Sequence, residues 1–97
     1  MLPILWLPSA RDDLRQIVAY IAKENPPAAR RLKIRIETSV LSLSEQHPYL
    51  YPPSERALGL REIVTHPNYI ILYRVTASNI EIVNVVHSRR QYPNKSC

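Results

Sequence analysis

The sequence predicts an α+β fold, a small antiparallel-rich sheet with an αα-hairpin packed on one face. Three observations predict it. Apolar residues recur at helical spacing in two successive runs of the first half, separated by little more than Glu24-Asn25-Pro26-Pro27. The second half carries three runs rich in β-branched and aromatic residues, divided by short polar breaks. A further strand-like run, Leu2 to Leu7, precedes the helices. The order is therefore β-α-α-β-β-β, and helices grouped apart from strands are the pattern of an α+β domain.

A chain of 97 residues has room for one core, so residues 1–97 are read as a single domain. The 45% hydrophobic and 22% charged residues are ordinary for a globular protein. The net charge of +5 favours an anionic partner, and nucleic acid or an acidic protein both satisfy it. Cys97 is the only cysteine, so no intrachain disulfide or multi-cysteine metal site can form, consistent with a reducing, cytoplasmic setting. The apolar run at the N-terminus lacks a basic flank and is too short for a signal peptide or a membrane span. No membrane association and no cofactor are expected.

Leu2 to Leu7 lies between Pro3 and Pro8, and Pro3 cannot donate to a ladder, which places this strand at an edge. Ser9 is the expected N-cap of the first helix, with Asp12 as the acidic member of a capping box. Ala10, Leu14, Ile17, Val18 and Ile21 form its apolar stripe, predicting a helix over 10–23. Trp6 is expected in the core. Asn25 caps the second helix, over 27–45, whose stripe is Ala29, Leu32, Ile36, Val40 and Leu43. Arg30, Arg31, Lys33 and Arg35 crowd its first half, either as a solvated face or as a basic docking surface.

His47 to Arg56 has no period and reads as a connector, with Tyr49 and Tyr51 covering one end of the core. Leu58 to Thr65 is the strand that follows, with Leu60, Glu62 and Val64 on one face and Arg61, Ile63 and Thr65 on the other. His66-Pro67-Asn68 makes the next turn. Tyr69–Val75 and Ile80–Val86 are almost continuously apolar, which predicts central strands. The sheet face away from the helices is expected to stay open. Where the last strand stops, His87, Arg89, Arg90, Gln91 and Tyr92 arrive together. His66 and His87 find no third ligand at recognisable spacing, so no metal site is expected. Arg74 either lines the open face or makes an ion pair, and His87 is either a structural hydrogen-bonding residue or a general base.

Four segments carry a resemblance that spans nearly the whole chain. They are W-x-x-x-A-x-x-D-L from Trp6 to Leu14, YIAKENPPAA from Tyr20, GLREIVTHPNYIILYRV from Gly59, and VVHSRRQYP from Val85. In this order and spacing they resemble the RelE/ParE superfamily of type II toxins, and most of all the ParE-type toxins of three-component PaaR–PaaA–ParE modules. The resemblance implies the toxic component of a toxin–antitoxin system, acting on DNA gyrase. It also implies an antitoxin with a disordered segment that wraps the toxin, and a higher-order toxin–antitoxin oligomer. Arg61, Arg74, His87, Arg89, Arg90 and Tyr92 are then the target-binding candidates. Leu14, Arg30, Arg31 and Arg35 are the antitoxin-binding candidates.

The superfamily's other activity, ribosome-dependent mRNA cleavage, needs a base, an acid and cations around the phosphorane. RelE-like enzymes gather several Lys and Arg on the open face. Here Arg61 and Arg89 are basic, but Ile63 and Ile70 stand where further cations would be expected. Glu62, Arg74, His87 and Tyr92 are the residue types of an alternative Glu, Arg and His-Tyr arrangement. Alternation puts Glu62 on the face opposite Arg61, and Tyr92 lies five residues beyond His87. A toxin that binds its target without chemistry is the preferred reading. In the alternative, His87, Arg89 and Tyr92 are catalytic.

Overall fold

The computed structural model describes residues 2–45 and 51–89. The elements run β1 (Ile4–Trp6), α1 (Pro8–Ala22), α2 (Pro26–Glu45), β2 (Arg61–His66), β3 (Tyr69–Val75) and β4 (Ile80–His87). The sheet order is β1-β4-β3-β2. β1 pairs in parallel with β4, while β4 with β3 and β3 with β2 are antiparallel. The two apolar runs thus occupy the centre, where a strand has neighbours on both sides, and the proline-flanked run forms an edge.

α1 starts one residue before Ser9. Leu7 is its N-cap in extended conformation and no side chain caps it. Pro8 occupies the first turn, where a missing N–H costs nothing. Ser9 and Asp12 do not form the expected capping box. The Ser9 hydroxyl donates instead to the Val83 carbonyl of β4, and Asp12 pairs with Arg15 on the helix surface. Asn25 does cap α2, its Oδ1 accepting the Ala28 N–H at 3.1 Å.

One core lies between the hairpin and the sheet. Ala10 and Leu14 of α1 meet Leu32, Ile36, Val40 and Leu43 of α2, over Ile63, Ile71, Tyr73, Ile80, Ile82 and Val85. Each Leu, Ile or Val side chain so removed from water contributes about 1.5–3 kcal/mol. Trp6 and Tyr51 are partly buried against this core, and Tyr49 lies outside the described residues.

β2 begins three residues later than Leu58. Gly59, the only glycine, has φ +83°, the left-handed region that side-chain-bearing residues avoid, and it turns the chain into the strand. The connector before it folds back along β2, with Glu62 N–H donating to the Pro52 carbonyl at 3.2 Å and Ser54 N–H to the Leu60 carbonyl at 2.8 Å. This corrects the expectation of an open second face. Ala57 and Leu60 pack onto Ile70, Leu72 and Val86, making a second, smaller core on the side away from the helices. Among the described residues no helix is long and apolar enough to cross a membrane.

Candidate functional site

Antiparallel pairing sorts the polar residues to the two ends of the sheet. At one end, His66 of β2 pairs with Tyr69 of β3, and Tyr69 pairs with His87 of β4. A one-residue irregularity between Val64 and His66 brings His66 into the ladder, where the sequence predicted a turn. The three rings form a row across three strands. His66 and Tyr69 centroids lie 5.8 Å apart, and the His87 ring meets Tyr69 edge-on at 5.3 Å.

Each histidine holds a backbone amide two residues further on. His66 Nδ1 accepts the Asn68 N–H at 3.0 Å, and His87 Nδ1 accepts the Arg89 N–H at 3.1 Å. An Nδ1 that accepts is unprotonated, so in the neutral ring the proton sits on Nε2. The remaining nitrogen of His87 is then a hydrogen-bond donor, suited to an anionic oxygen and not to abstracting a proton.

Ser88 closes this end. Its N–H donates to the Asn68 carbonyl at 2.8 Å, and its hydroxyl to the Pro67 carbonyl at 3.0 Å. Its own carbonyl accepts Arg56 Nη1 at 3.2 Å. Arg56 in turn lies 3.5 Å from the Glu62 carboxylate, which also accepts the Ser54 hydroxyl at 2.7 Å. Arg89 follows, exposed.

Arg61 and Arg74 sit at the opposite end. Arg61 pairs with Tyr73 on the helix side of the sheet, and its Nη1 donates to the Tyr51 carbonyl at 2.7 Å. Burial pushes the Tyr73 hydroxyl up to about 12, with the Arg61 charge opposing and Tyr51 adding to the shift. Arg74 stands opposite Glu81 and its Nε donates to that carboxylate. The five-residue step from Tyr69 to Arg74 spans about 17 Å of strand. The target-binding candidates are therefore not one cluster. His87 and Arg89 stand together, Arg61 and Arg74 stand apart from them, and Arg90 and Tyr92 lie outside the described residues. The reason is geometric, since β3 runs antiparallel to both neighbours.

The antitoxin-binding candidates also divide. Leu14 is 9% exposed and belongs to the core, a correction that follows from its place on the inward stripe of α1. Arg30, Arg31 and Arg35 are exposed with Lys33 on α2, and among the described residues none of the four has an ion-pair partner. They occupy the first half of α2, and no acidic residue stands in its first turn. Ile34 and Leu41, 62% and 63% exposed, share the outer face one heptad apart. The sequence reading missed these two, although their offset from the buried stripe marks them. It also missed the Ser54–Glu62–Arg56–Ser88 chain, for which no periodic signal exists.

The fold is that of a small toxin class, and comparison with known proteins agrees. Residues 4–92 match the family described as the ParE toxin of type II toxin–antitoxin system, parDE. The toxin RelE2 of Caulobacter vibrioides is 36% identical over 92 residues, covering 93% of this chain and 99% of that protein. The chromosomal ParDE system from P. aeruginosa contains a chain of the same fold, with a TM-score of 0.79 at 19% identity, covering 90% of this chain and 96% of that one. The RelBE2 toxin–antitoxin complex from Mycobacterium tuberculosis gives 0.63 at 22% identity, covering 89% and 96%. YafQ from E. coli gives 0.59 at 16% identity, covering 91% and 94%.

This chain belongs to the ParE toxin family of type II toxin–antitoxin systems, within the RelE/ParE superfamily.

Proposed function

We propose that this toxin binds and inhibits DNA gyrase and performs no bond-breaking chemistry of its own. The observation that carries this reading is the sheet face away from the helices, where an mRNA interferase would gather cations. Ile70 (2% exposed) and Leu72 (0%) lie there beneath Ala57 (6%). Apolar groups cannot stabilise a phosphorane. The arginines beside them, Arg56 and Arg74, are each paired with a carboxylate, Glu62 and Glu81. The donor tautomer of His87 supports the same reading, because it lacks the free lone pair that a general base needs.

His87, Arg89 and, further along the sequence, Arg90 and Tyr92 are then recognition residues that offer donors and positive charge to an anionic surface. The cognate antitoxin is a second partner. Its acidic, amphipathic segment would dock on the outer face of α2, where Ile34 and Leu41 supply apolar anchors among exposed cations. Sequestration in a larger toxin–antitoxin assembly in the cytoplasm completes the proposal.

A second reading, ribosome-dependent mRNA cleavage, is favoured by the kinship to a relative named RelE2. Alanine substitution at His87, Arg89 and Tyr92, read as growth inhibition on induction, separates the two. Loss of a catalytic base or acid lowers activity by about 10²–10⁴-fold. Loss of one contact in a binding surface gives a graded decline, about tenfold for each residue. A graded response at all three positions is expected, and an all-or-none response would overturn the proposal.

A further inference from the structure

The chain leaves β4 through a joint whose polar groups are all engaged. Ser88 uses its N–H, hydroxyl and carbonyl on three different residues, Asn68, Pro67 and Arg56. Two of these belong to the β2–β3 turn and the third to the connector before β2. The amides on either side of the joint are held by the two histidines, Asn68 N–H by His66 and Arg89 N–H by His87. Arg56 is itself fixed, with a side chain 30% exposed against Glu62 at 18%, and its backbone N–H donates to the Ser54 hydroxyl at 3.2 Å.

A serine at the last turn of a strand needs one or two such bonds to end it. Three bonds to two segments fix the backbone on both sides of Ser88, because a carbonyl and an amide of one residue cannot both be held while the peptide planes rotate. We propose that Ser88 and Arg56 are positioning residues: through the contact of Arg56 with the Ser88 carbonyl, the connector sets the position of Arg89. The inference rests on the reading that Arg89 touches the target. It assigns a functional consequence to Ser54, Arg56 and Glu62, which lie outside the contact surface itself.

The test joins a local measurement to a functional one, on the full-length protein. Amide hydrogen exchange at Arg89, followed by NMR, should be slow in the native protein. It should speed up about tenfold in Arg56→Ala, which is what the loss of one hydrogen bond does to a local opening equilibrium. Ser88→Thr, which keeps the hydroxyl, should exchange as the native protein does, and Ser88→Ala should not. Thermal melting identifies any variant that fails to fold.

Growth inhibition is then compared for Arg56→Ala, Arg89→Ala and the double variant. If Arg56 acts through Arg89, each single variant weakens inhibition and the double variant is no weaker than Arg89→Ala. Fully additive losses would overturn the proposal, as would unchanged exchange at Arg89 in folded Arg56→Ala. If Arg89→Ala inhibits growth as strongly as the native chain, the target-contact reading fails. The exchange data still decide whether Arg56 orients the strand end.

Discussion

Asp13 of α1 holds the backbone of Val85 in β4, its carboxylate accepting the Val85 N–H at 3.0 Å. The same oxygen accepts the Asn84 side-chain amide at 2.8 Å. The reason lies in the sheet edge. β1 covers β4 only over Ile80–Ile82, and Val83 is an extra residue in the pairing of β4 with β3, where Tyr73 meets Ile82 and Leu72 meets Asn84. Beyond β1 the strand would present unsatisfied groups, which helix side chains now satisfy, Ser9 at the Val83 carbonyl and Asp13 at the Val85 amide. The motif W-x-x-x-A-x-x-D-L thus has a physical content. Trp6 pairs with Ile82, Ala10 permits close helix approach at 0% exposure, Asp13 caps the strand edge and Leu14 enters the core.

Removing that carboxylate takes away the acceptor of the Val85 N–H and one bond of the Asn84 side-chain amide. Asp13→Ala should destabilise the protein by about 2 kcal/mol, and Asp13→Asn by less, since its carbonyl still accepts. Urea denaturation measures both. A loss below about 0.5 kcal/mol for the alanine variant would show that water satisfies the edge equally well.

Tyr73 makes the fold sensitive to strong alkali. Its hydroxyl is pushed up to about 12 by burial, against 10.0 for a free tyrosine. Between those values the unfolded chain loses the proton and the folded chain keeps it, so rising pH favours unfolding. The stability linked to this group is complete below pH 10 and lost as pH rises towards 12, an effect of about 3 kcal/mol. Denaturation midpoints across that range should fall less steeply in Tyr73→Phe. Equal slopes in the two proteins would contradict the assignment.

Arg74 and Glu81 form a cross-strand ion pair whose arginine is half exposed. Solvent screens such a pair, and its coupling energy in a double-mutant cycle should not exceed about 1 kcal/mol. A larger coupling would mean that the pair orders β3 and β4 in a way its exposure does not suggest.

The outer face of α2 carries a prediction of opposite kind. Replacing Arg30, Arg31 and Arg35 together by Glu should weaken antitoxin binding by more than about tenfold at low salt, and less at high salt. The fold should survive, because these side chains are exposed and have no ion-pair partner among the described residues. Leu14→Ala should do the reverse, lowering stability by about 2–5 kcal/mol as a core truncation. Isothermal titration and melting, run on the same samples, separate the two.

Much of this arrangement is legible in the sequence. The stripes of both helices and the two central strands follow from period and β-propensity, and Asn25 announces the start of α2. The misreadings come where tertiary contacts decide. Ser9 looks like a cap until Val83 claims its hydroxyl. The connector looks like a loop, with nothing local to show that Ala57 and Leu60 will cover Ile70 and Leu72. Arg61, Arg74 and His87 look like one set of basic groups until antiparallel pairing sends them to opposite ends. Alternation fixes which face a strand residue occupies, but which residues share an end depends on topology.

The most direct test of the central claim is a paired assay on one toxin preparation, with and without its antitoxin. One arm follows gyrase supercoiling and the accumulation of cleaved DNA complexes; the other maps mRNA ends on translating ribosomes. The account predicts gyrase inhibition that antitoxin relieves, with mRNA intact. Codon-phased mRNA cuts with unaffected gyrase would contradict it and make His87, Arg89 and Tyr92 catalytic residues.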